Sequence, residues 1–327
     1  MRQKILMMGP IPAAQMQELE ENYEVTKLWL APDPEAALAA VRQDVTAIVS
    51  TAFGKVSAKL IQALPNLEII SHFGVGYDSI DVGAAQERSI IVTNTPDVLT
   101  DDTADIGLAL TLAVFRRIVE GDIYVRSGQW VKKGAMPLGR AMRGRTMGII
   151  GMGRIGQAVA DRARAFGVKI AYTGRGKKEG TDATFYPDAV SLAAASDILM
   201  ICCAYTPETH ELVNMPVLKA LGRDGVLVNI ARGKIVDEQG LIDALQSGLI
   251  AGAGLDVFAN EPDVPSALCR LDNVVLLPHL GSATHDTRAA MGRLVLENLQ
   301  LYFEKAEVLT PVTPVFAGKL AKNRDLL

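Results

Sequence analysis

Cysteine is nearly absent from this chain: three of 327 residues, Cys202, Cys203 and Cys269. The first two are adjacent in an apolar strand-like run, where they cannot easily bridge each other, and no metal-ligand spacing exists. A disulfide scaffold and a metal site are therefore not expected, and the thiols read as reduced cysteines of a cytosolic protein. Aromatic residues make up only 5%, and there are four histidines. No run of about 18 apolar residues occurs, so no membrane span is expected. MRQKILMMGP lacks the long apolar core of a signal peptide. Positive charge is not in excess either: the formal net charge is −4, which gives no electrostatic case for nucleic acid or an anionic membrane as partner. Low-complexity tracts and short internal repeats are missing.

Apolar residues are plentiful at 49%, against 21% charged, an ordinary globular balance. The length suits two domains, each with its own core. The most informative stretch is RTMGIIGMGRIGQAVADRARAFGVKIAYTGRGKK, Arg145 to Lys178. It reads as a strand from Thr146 to Ile150, then Gly151, Gly153 and Gly156 spaced G-x-G-x-x-G, then a helix to Phe166 ended by Gly167. A second strand follows from Val168 to Tyr172. This is the context a dinucleotide fingerprint requires. One glycine allows the tight turn, one lets the backbone approach a pyrophosphate, and one seats the helix close to the sheet. The N–H groups at the helix start then face the phosphate charge.

Elsewhere strands and helices alternate, which predicts parallel sheets with helices on both faces. Strands are expected at 4–9, 24–28, 45–50 and 67–71, with helices at 13–21, 34–42 and 57–64 between them. Gly74-Val75-Gly76 then follows a strand and precedes Asp78 and Asp81, which can cap a helix ending at Glu87. Backbone N–H groups in such a turn suit a small anion. Asn94-Thr95-Pro96 is a further turn. A single long helix is expected from Thr100 to about Gly128, then a basic irregular stretch from Trp130 to Arg143. After Lys178 come helices at 188–195, 216–221 and 237–247, and strands at 197–203, 225–230, 251–257 and 274–277. A final helix starts at Thr284 and runs to about Glu304, with a peripheral tail from Thr310. Residues 1–100 with 288–327 are expected to form one α/β domain and 101–287 the nucleotide domain. The cleft between them is the expected site, since such sheets bind ligands beyond their carboxyl strand ends.

Three residues follow three successive strands of the nucleotide domain: Arg232 in NIARG, Glu261 in DVFANEP and His279 in LLPHLGSAT. In a parallel sheet they emerge on the edge that carries the glycine turn. A cation, a carboxylate and an imidazole beside a nucleotide suit reduction of a 2-oxo acid. Arg232 can hold the substrate's carboxylate and keto oxygens through its forked donors. His279 can protonate the developing alkoxide, and Glu261 can hold the imidazole in its charged form. A nicotinamide would supply the hydride.

HFGVGYDSID, NTPDVLTDDTAD, GIIGMGRIGQAVA, VNIARGKIVDEQGL, AGLDVFANEP and LLPHLGSAT together resemble the D-2-hydroxyacid dehydrogenase family over essentially the whole chain. The resemblance implies two Rossmann-like doubly wound parallel-sheet domains, commonly a homodimer built on the nucleotide domains. It implies a catalytic trio at Arg232, Glu261 and His279 and a substrate carboxylate bound by the N–H groups of Val75 and Gly76, with Ser282 nearby. Cofactor contacts are implied at Arg154, Ile155, Ala204, Ile230, Ala231, Asp256, His279 and Gly281, beside the three glycines.

The end of the second strand of the fingerprint bears on the choice of cofactor. An acid there binds the ribose hydroxyls and repels a 2′-phosphate. This chain has Thr173-Gly174-Arg175 instead, so Thr173 and Arg175 can bind the phosphate, and NADPH is expected over NADH. The TGR turn and SATH resemble the glyoxylate and hydroxypyruvate reductases of the family, and the hydroxyphenylpyruvate reductases beside them. Leu99, Phe53 and Met291 are candidates for the side-chain pocket. A reductase of aromatic 2-oxo acids, or a non-catalytic nucleotide-sensing protein like the corepressors of this fold, is the competing reading.

Overall fold

The computed structural model describes residues 2–313; the end of the expected peripheral tail, from 314 on, lies outside the described residues. The chain divides into two compact units, Met1–Leu99 with the chain from Thr284 onward, and Thr100–Ala283.

The first unit runs β1 (Lys4–Met7), α1 (Ala13–Asn22), β2 (Glu24–Lys27), α2 (Pro34–Val41), β3 (Val45–Thr51), α3 (Ala58–Ala63), β4 (Ile69–Phe73), α4 (Val82–Glu87) and β5 (Ile91–Thr93). The second holds α5 (Thr100–Arg116), α6 (Ile118–Arg126), α7 (Gln129–Lys133), β6 (Thr146–Ile150), α8 (Arg154–Ala165), β7 (Lys169–Thr173), β8 (Thr184–Phe185), α9 (Ala189–Ala194) and β9 (Ile198–Ile201). It continues with α10 (Met215–Leu221), β10 (Val226–Asn229), α11 (Glu238–Gln246), β11 (Gly252–Leu255), α12 (Ser266–Cys269) and β12 (Val274–Leu276), and the chain then enters α13 (His285–Lys305) of the first unit. Strand order is β2-β1-β3-β4-β5 in the first sheet and β12-β11-β10-β9-β6-β7-β8 in the second. Every strand pairing within the two sheets is parallel.

Parallel sheets covered on both faces need strands that are apolar at every position. Strand β9 shows why ILMI reads that way. Ile198 and Met200 pack with Ile149, Val226 and Val228 under residues of α5 and α8. Leu199 and Ile201 point the other way, among Leu227, Leu255 and residues of α9, α10 and α11. Full burial of each such side chain is worth about 1.5–3 kcal/mol. In the first unit α13 lies on β4, where Ser71 Oγ donates to the Val295 carbonyl at 3.3 Å.

Side-chain caps set the starts of the helices. Asp33, Ser57, Asp81, Asp188, Asp237 and Thr284 each accept an N–H of the first turn that follows them. These orphan donors have no partner inside the helix, so the acceptor is what fixes the boundary. Of the two acids expected to cap α4, it is Asp81 that does so, through Ala84 N–H at 2.9 Å.

Several expectations need correcting. The long helix from Thr100 to Gly128 is broken at Arg117, which sits in the left-handed region (φ 54°) while its guanidinium clamps Glu120 at 2.7 and 2.6 Å. Helix α6 begins after that break, and α7 begins after Gly128, so part of the stretch from Trp130 is helical rather than irregular. Cys202 and Cys203 lie just beyond β9, not inside it. Strands β5 and β8 and helix α12 have two to four residues each, too few to show a period in the sequence.

Capping predicts a measurable loss. Asp237→Ala removes the acceptor for Gly240 N–H (3.0 Å) and should lower unfolding free energy by about 1 kcal/mol in urea titration. An unchanged midpoint would show that α11 does not depend on its cap.

Candidate active site

The second sheet reverses its direction of growth between β6 and β9, which are neighbours with β7 and β8 beyond one and β10 to β12 beyond the other. A crevice outside the carboxyl ends of the strands is expected at such a point. The glycine turn follows β6 there. Arg232 follows β10, Asp256 and Glu261 follow β11, and His279 follows β12, so three adjacent strands deliver the charged groups to the edge that bears the turn.

His279 Nδ1–H donates to Glu261 Oε2 at 2.7 Å. The other oxygen of Glu261 accepts the Phe258 N–H at 3.0 Å, so the carboxylate is aimed from both sides. Burial pushes the Glu261 carboxyl up, but the bonds from His279 and Phe258 and the charges of His279 and Arg232 outweigh it and hold the group below the ordinary glutamate value. His279 itself has φ 55°, an unusual conformation for a residue with a side chain. Its N–H donates to the Asp256 carbonyl at 2.9 Å. The Asp256 carboxylate then accepts the next two N–H groups, Leu280 at 2.6 Å and Gly281 at 2.8 Å. Burial holds Asp256 above the usual aspartate value against those two bonds.

Arg232 is shaped by a turn that the sequence reading passed over. Asn229, the one polar residue of β10, is buried and bonds both ways: its Oδ1 accepts Ala231 N–H at 3.0 Å and its Nδ2 donates to the Arg232 carbonyl at 2.9 Å. Arg232 Nη1 donates to the Ala231 carbonyl at 2.8 Å. A side chain at Gly233 would collide with the Phe258 backbone, so glycine is what lets the Arg232 turn touch the Glu261 loop. Glu238 Oε1 accepts the Ala259 N–H at 3.0 Å and holds that loop from the other side. The signal that could have found Asn229 was an amide ending an otherwise apolar run.

The glycine turn fits a dinucleotide. Gly151 has φ 95°, and a Cβ there would lie 2.6 Å from the Cys203 backbone. A Cβ on Gly156 would run into the Gly151 carbonyl, so helix and turn approach as closely as backbone allows. Gly153 faces open space and is the N-cap of α8 with no side-chain cap, which leaves room for a phosphate. Arg154 and Ile155 open that helix. Gly151 N–H donates to the Thr173 carbonyl at 2.9 Å, tying the turn to the end of β7. Thr173 is buried and Gly174 and Arg175 are exposed. Tyr172 OH accepts the Lys178 N–H at 2.6 Å and closes this basic turn. No acid stands at the end of β7.

The remaining expected contacts fall as follows. Ala204 follows β9 and is exposed, Ile230 is buried beneath the Arg232 turn, and Gly281 and Ser282 follow His279. Val75 and Gly76 follow β4 of the first unit. Of the pocket candidates, Leu99 and Met291 are buried and Phe53 is exposed. The three cysteines are free, and burial pushes the Cys202 and Cys203 thiols up, Cys203 to about 11, so neither is a thiolate nucleophile at neutral pH. No described helix is long and apolar enough to cross a membrane.

Comparison with known proteins shows the family. Residues 108–281 match the model of the D-isomer specific 2-hydroxyacid dehydrogenase, NAD binding domain. The chain belongs to the D-isomer specific 2-hydroxyacid dehydrogenase family. It is 48% identical over 308 residues to a hydroxyphenylpyruvate reductase of Plectranthus scutellarioides, covering 94% of this chain and 98% of that one. A glyoxylate/hydroxypyruvate reductase A of Arabidopsis thaliana matches at the same identity and coverage. Among solved structures, an NADPH-dependent glyoxylate/hydroxypyruvate reductase of Sinorhizobium meliloti in complex with NADP and malonate superposes with a TM-score of 0.90 at 45% identity, covering 96% of this chain and 98% of that one.

The lowered Glu261 carboxyl carries a pH signature. Its stabilising contribution is complete above its ordinary value of 4.5 and is lost as pH falls through the lower folded value. Glu261→Gln should therefore destabilise more at about pH 7 than at about pH 3 in urea titrations. Equal destabilisation at both would show that the folded Glu261 carboxyl is not held below its ordinary value.

Proposed function

We propose that the protein reduces a small 2-oxo acid of the glyoxylate or hydroxypyruvate kind to the D-2-hydroxy acid with NADPH. The observation that carries this is the 2.7 Å His279–Glu261 pair on the strand edge that also bears Arg232 and the glycine turn. Arg232 is assigned to the substrate's carboxylate and keto oxygen, with the N–H groups of Val75 and Gly76 as further carboxylate donors. His279 Nε2 gives its proton to the carbonyl oxygen as that oxygen gains charge. Glu261, held on Nδ1, keeps the ring oriented and compensates its positive charge. When bound, the dihydronicotinamide supplies the hydride to the substrate carbon.

Preference for NADPH is supported by Thr173, Gly174 and Arg175 at the end of β7, with no acid there, and by the NADP-bound relative. Weaker use of NADH is compatible with the same turn. A second reading, reduction of aromatic 2-oxo acids, is supported by the hydroxyphenylpyruvate reductase relative, whose identity equals that of the glyoxylate/hydroxypyruvate enzyme. A homodimer through the second unit is supported by an exposed apolar stretch there, with Ile123 58%, Trp130 62%, Val131 94% and Leu138 94% exposed. Free cysteines suit a cytoplasmic setting.

Oxidation of NADPH followed at 340 nm with glyoxylate, hydroxypyruvate, pyruvate and phenylpyruvate separates the readings. Hydroxypyruvate or glyoxylate should give the highest kcat/KM, and a clear lead for phenylpyruvate would transfer the assignment to the aromatic class. Arg232→Ala should lower kcat/KM by about 100-fold or more while NADPH still binds. Near-normal turnover in that variant would overturn the mechanism. Arg175→Asp should move the preference toward NADH, and an unchanged ratio would remove Arg175 from the phosphate site. Light scattering at micromolar concentration should give twice the mass of one chain.

A further inference from the structure

The turn Gly74–Val75–Gly76 is anchored from beneath by a buried imidazole that the proposed chemistry does not use. His72, in β4, is fully buried. Its Nε2 lies 3.0 Å from the Gly76 carbonyl, and its Nδ1 lies 2.8 Å from Ser50 Oγ. A carbonyl can only accept, so Nε2 carries the proton. In the neutral ring Nδ1 is then the acceptor, and Ser50 Oγ–H donates to it. A Cβ on Gly74 would sit 2.7 Å from Nε2, so the ring edge is in contact with the floor of the turn and only glycine admits it.

The other two carbonyls of the turn are also held. Asn94 Nδ2 donates to the Val75 carbonyl at 2.9 Å, and Thr95 N–H donates to the Gly74 carbonyl at 2.9 Å. A trans peptide is planar, and its C=O and N–H point in opposite directions. Fixing the Gly74 carbonyl therefore fixes the Val75 N–H, and fixing the Val75 carbonyl fixes the Gly76 N–H. Fixing the Gly76 carbonyl stops the far end of the turn from rotating. All three peptide planes are set by donors that lie in the first unit itself.

We infer that His72 and Asn94 are positioning residues: they hold the carbonyls of the Val75–Gly76 turn so that its N–H groups stay aimed at the substrate's carboxylate. This rests on the proposed assignment of those N–H groups to the carboxylate and adds the groups that pre-organise them. Neither side chain takes part in hydride or proton transfer, so the effect falls on KM for the 2-oxo acid and not on KM for NADPH.

Two variants of His72 separate positioning from mere packing. His72→Gln places an amide N–H near the former Nε2 and can still reach Gly76, whereas His72→Asn places one near the former Nδ1 and cannot. Both lose the ring and His72→Asn loses a further methylene, so the urea midpoint of each variant records the packing loss separately from KM. His72→Asn should raise KM for glyoxylate about tenfold, the loss of about one hydrogen bond, with kcat and KM for NADPH little changed. His72→Gln should stay within about threefold of the wild type. Affinity of the NADPH complex for oxalate, a non-reacting dicarboxylate, should fall in parallel. Equal KM and equal oxalate affinity in the two variants would overturn the inference. If neither variant folds, Asn94→Ala carries the test: it should raise KM and weaken oxalate, and unchanged values would overturn the inference. A wild type that turns over 2-oxo acids while the variants behave alike leaves the proposed reaction standing. A wild type that reduces no 2-oxo acid overturns both.

Discussion

One buried carboxylate governs the geometry of the candidate site. Asp256, buried after β11, accepts two successive N–H groups of the segment after β12 and receives the His279 N–H on its own carbonyl. Those three bonds hold His279 in the left-handed region, at a backbone cost of about 1 kcal/mol or more for a residue with a Cβ. Without that turn, the imidazole has no reason to face Glu261. The pair then forms at 2.7 Å between loops that belong to different strands. The neighbouring turn is built on the same plan: Asn229 braces Arg232, and Gly233 lets it come up against the Phe258 backbone. The charged residues are thus presented by buried amide and carboxylate groups, not by their own flexibility.

Much of this was legible in the sequence because parallel α/β architecture writes itself in short apolar runs. Strand β6 and the turn at Gly151, Gly153 and Gly156 are visible from spacing alone, and the apolar runs of β9 and β10 show that both faces of the sheet are covered. The placement of Arg232, Glu261 and His279 after consecutive strands follows from the same alternation. What was not legible has physical reasons. Arg117 breaks a helix through a backbone dihedral and a pair of bonds to Glu120, and neither leaves a mark in the hydrophobic period. Asp256 and Glu238 act on backbone N–H groups distant in sequence, so their partners become visible only in the fold. His72 lies just past the strand expected at 67–71, and only the fold shows that its ring reaches the Gly76 carbonyl.

In the proposed reaction, cofactor choice and substrate handling fall on different parts of the chain. The turn after β7 carries the basic residues suited to a 2′-phosphate, tied to the glycine turn through the Thr173 carbonyl. The turn after β4 carries backbone donors suited to a carboxylate, with its own bracing from Ser50, His72 and Asn94. Each turn can be altered without touching the imidazole and carboxylate to which the proposal assigns the proton.

The central claim is that His279, oriented by Glu261, delivers the proton while the cofactor delivers the hydride. The most direct measurement follows the hydride by its label and the proton donor by rate: glyoxylate is incubated with NADPH deuterated on the transferable face of its nicotinamide, and the product is read by NMR. The wild type should give glycolate carrying one deuterium on carbon, and His279→Asn should bind NADPH yet form that product at least about 100-fold more slowly. Glycolate without deuterium, or an undiminished rate in the His279 variant, would contradict the claim.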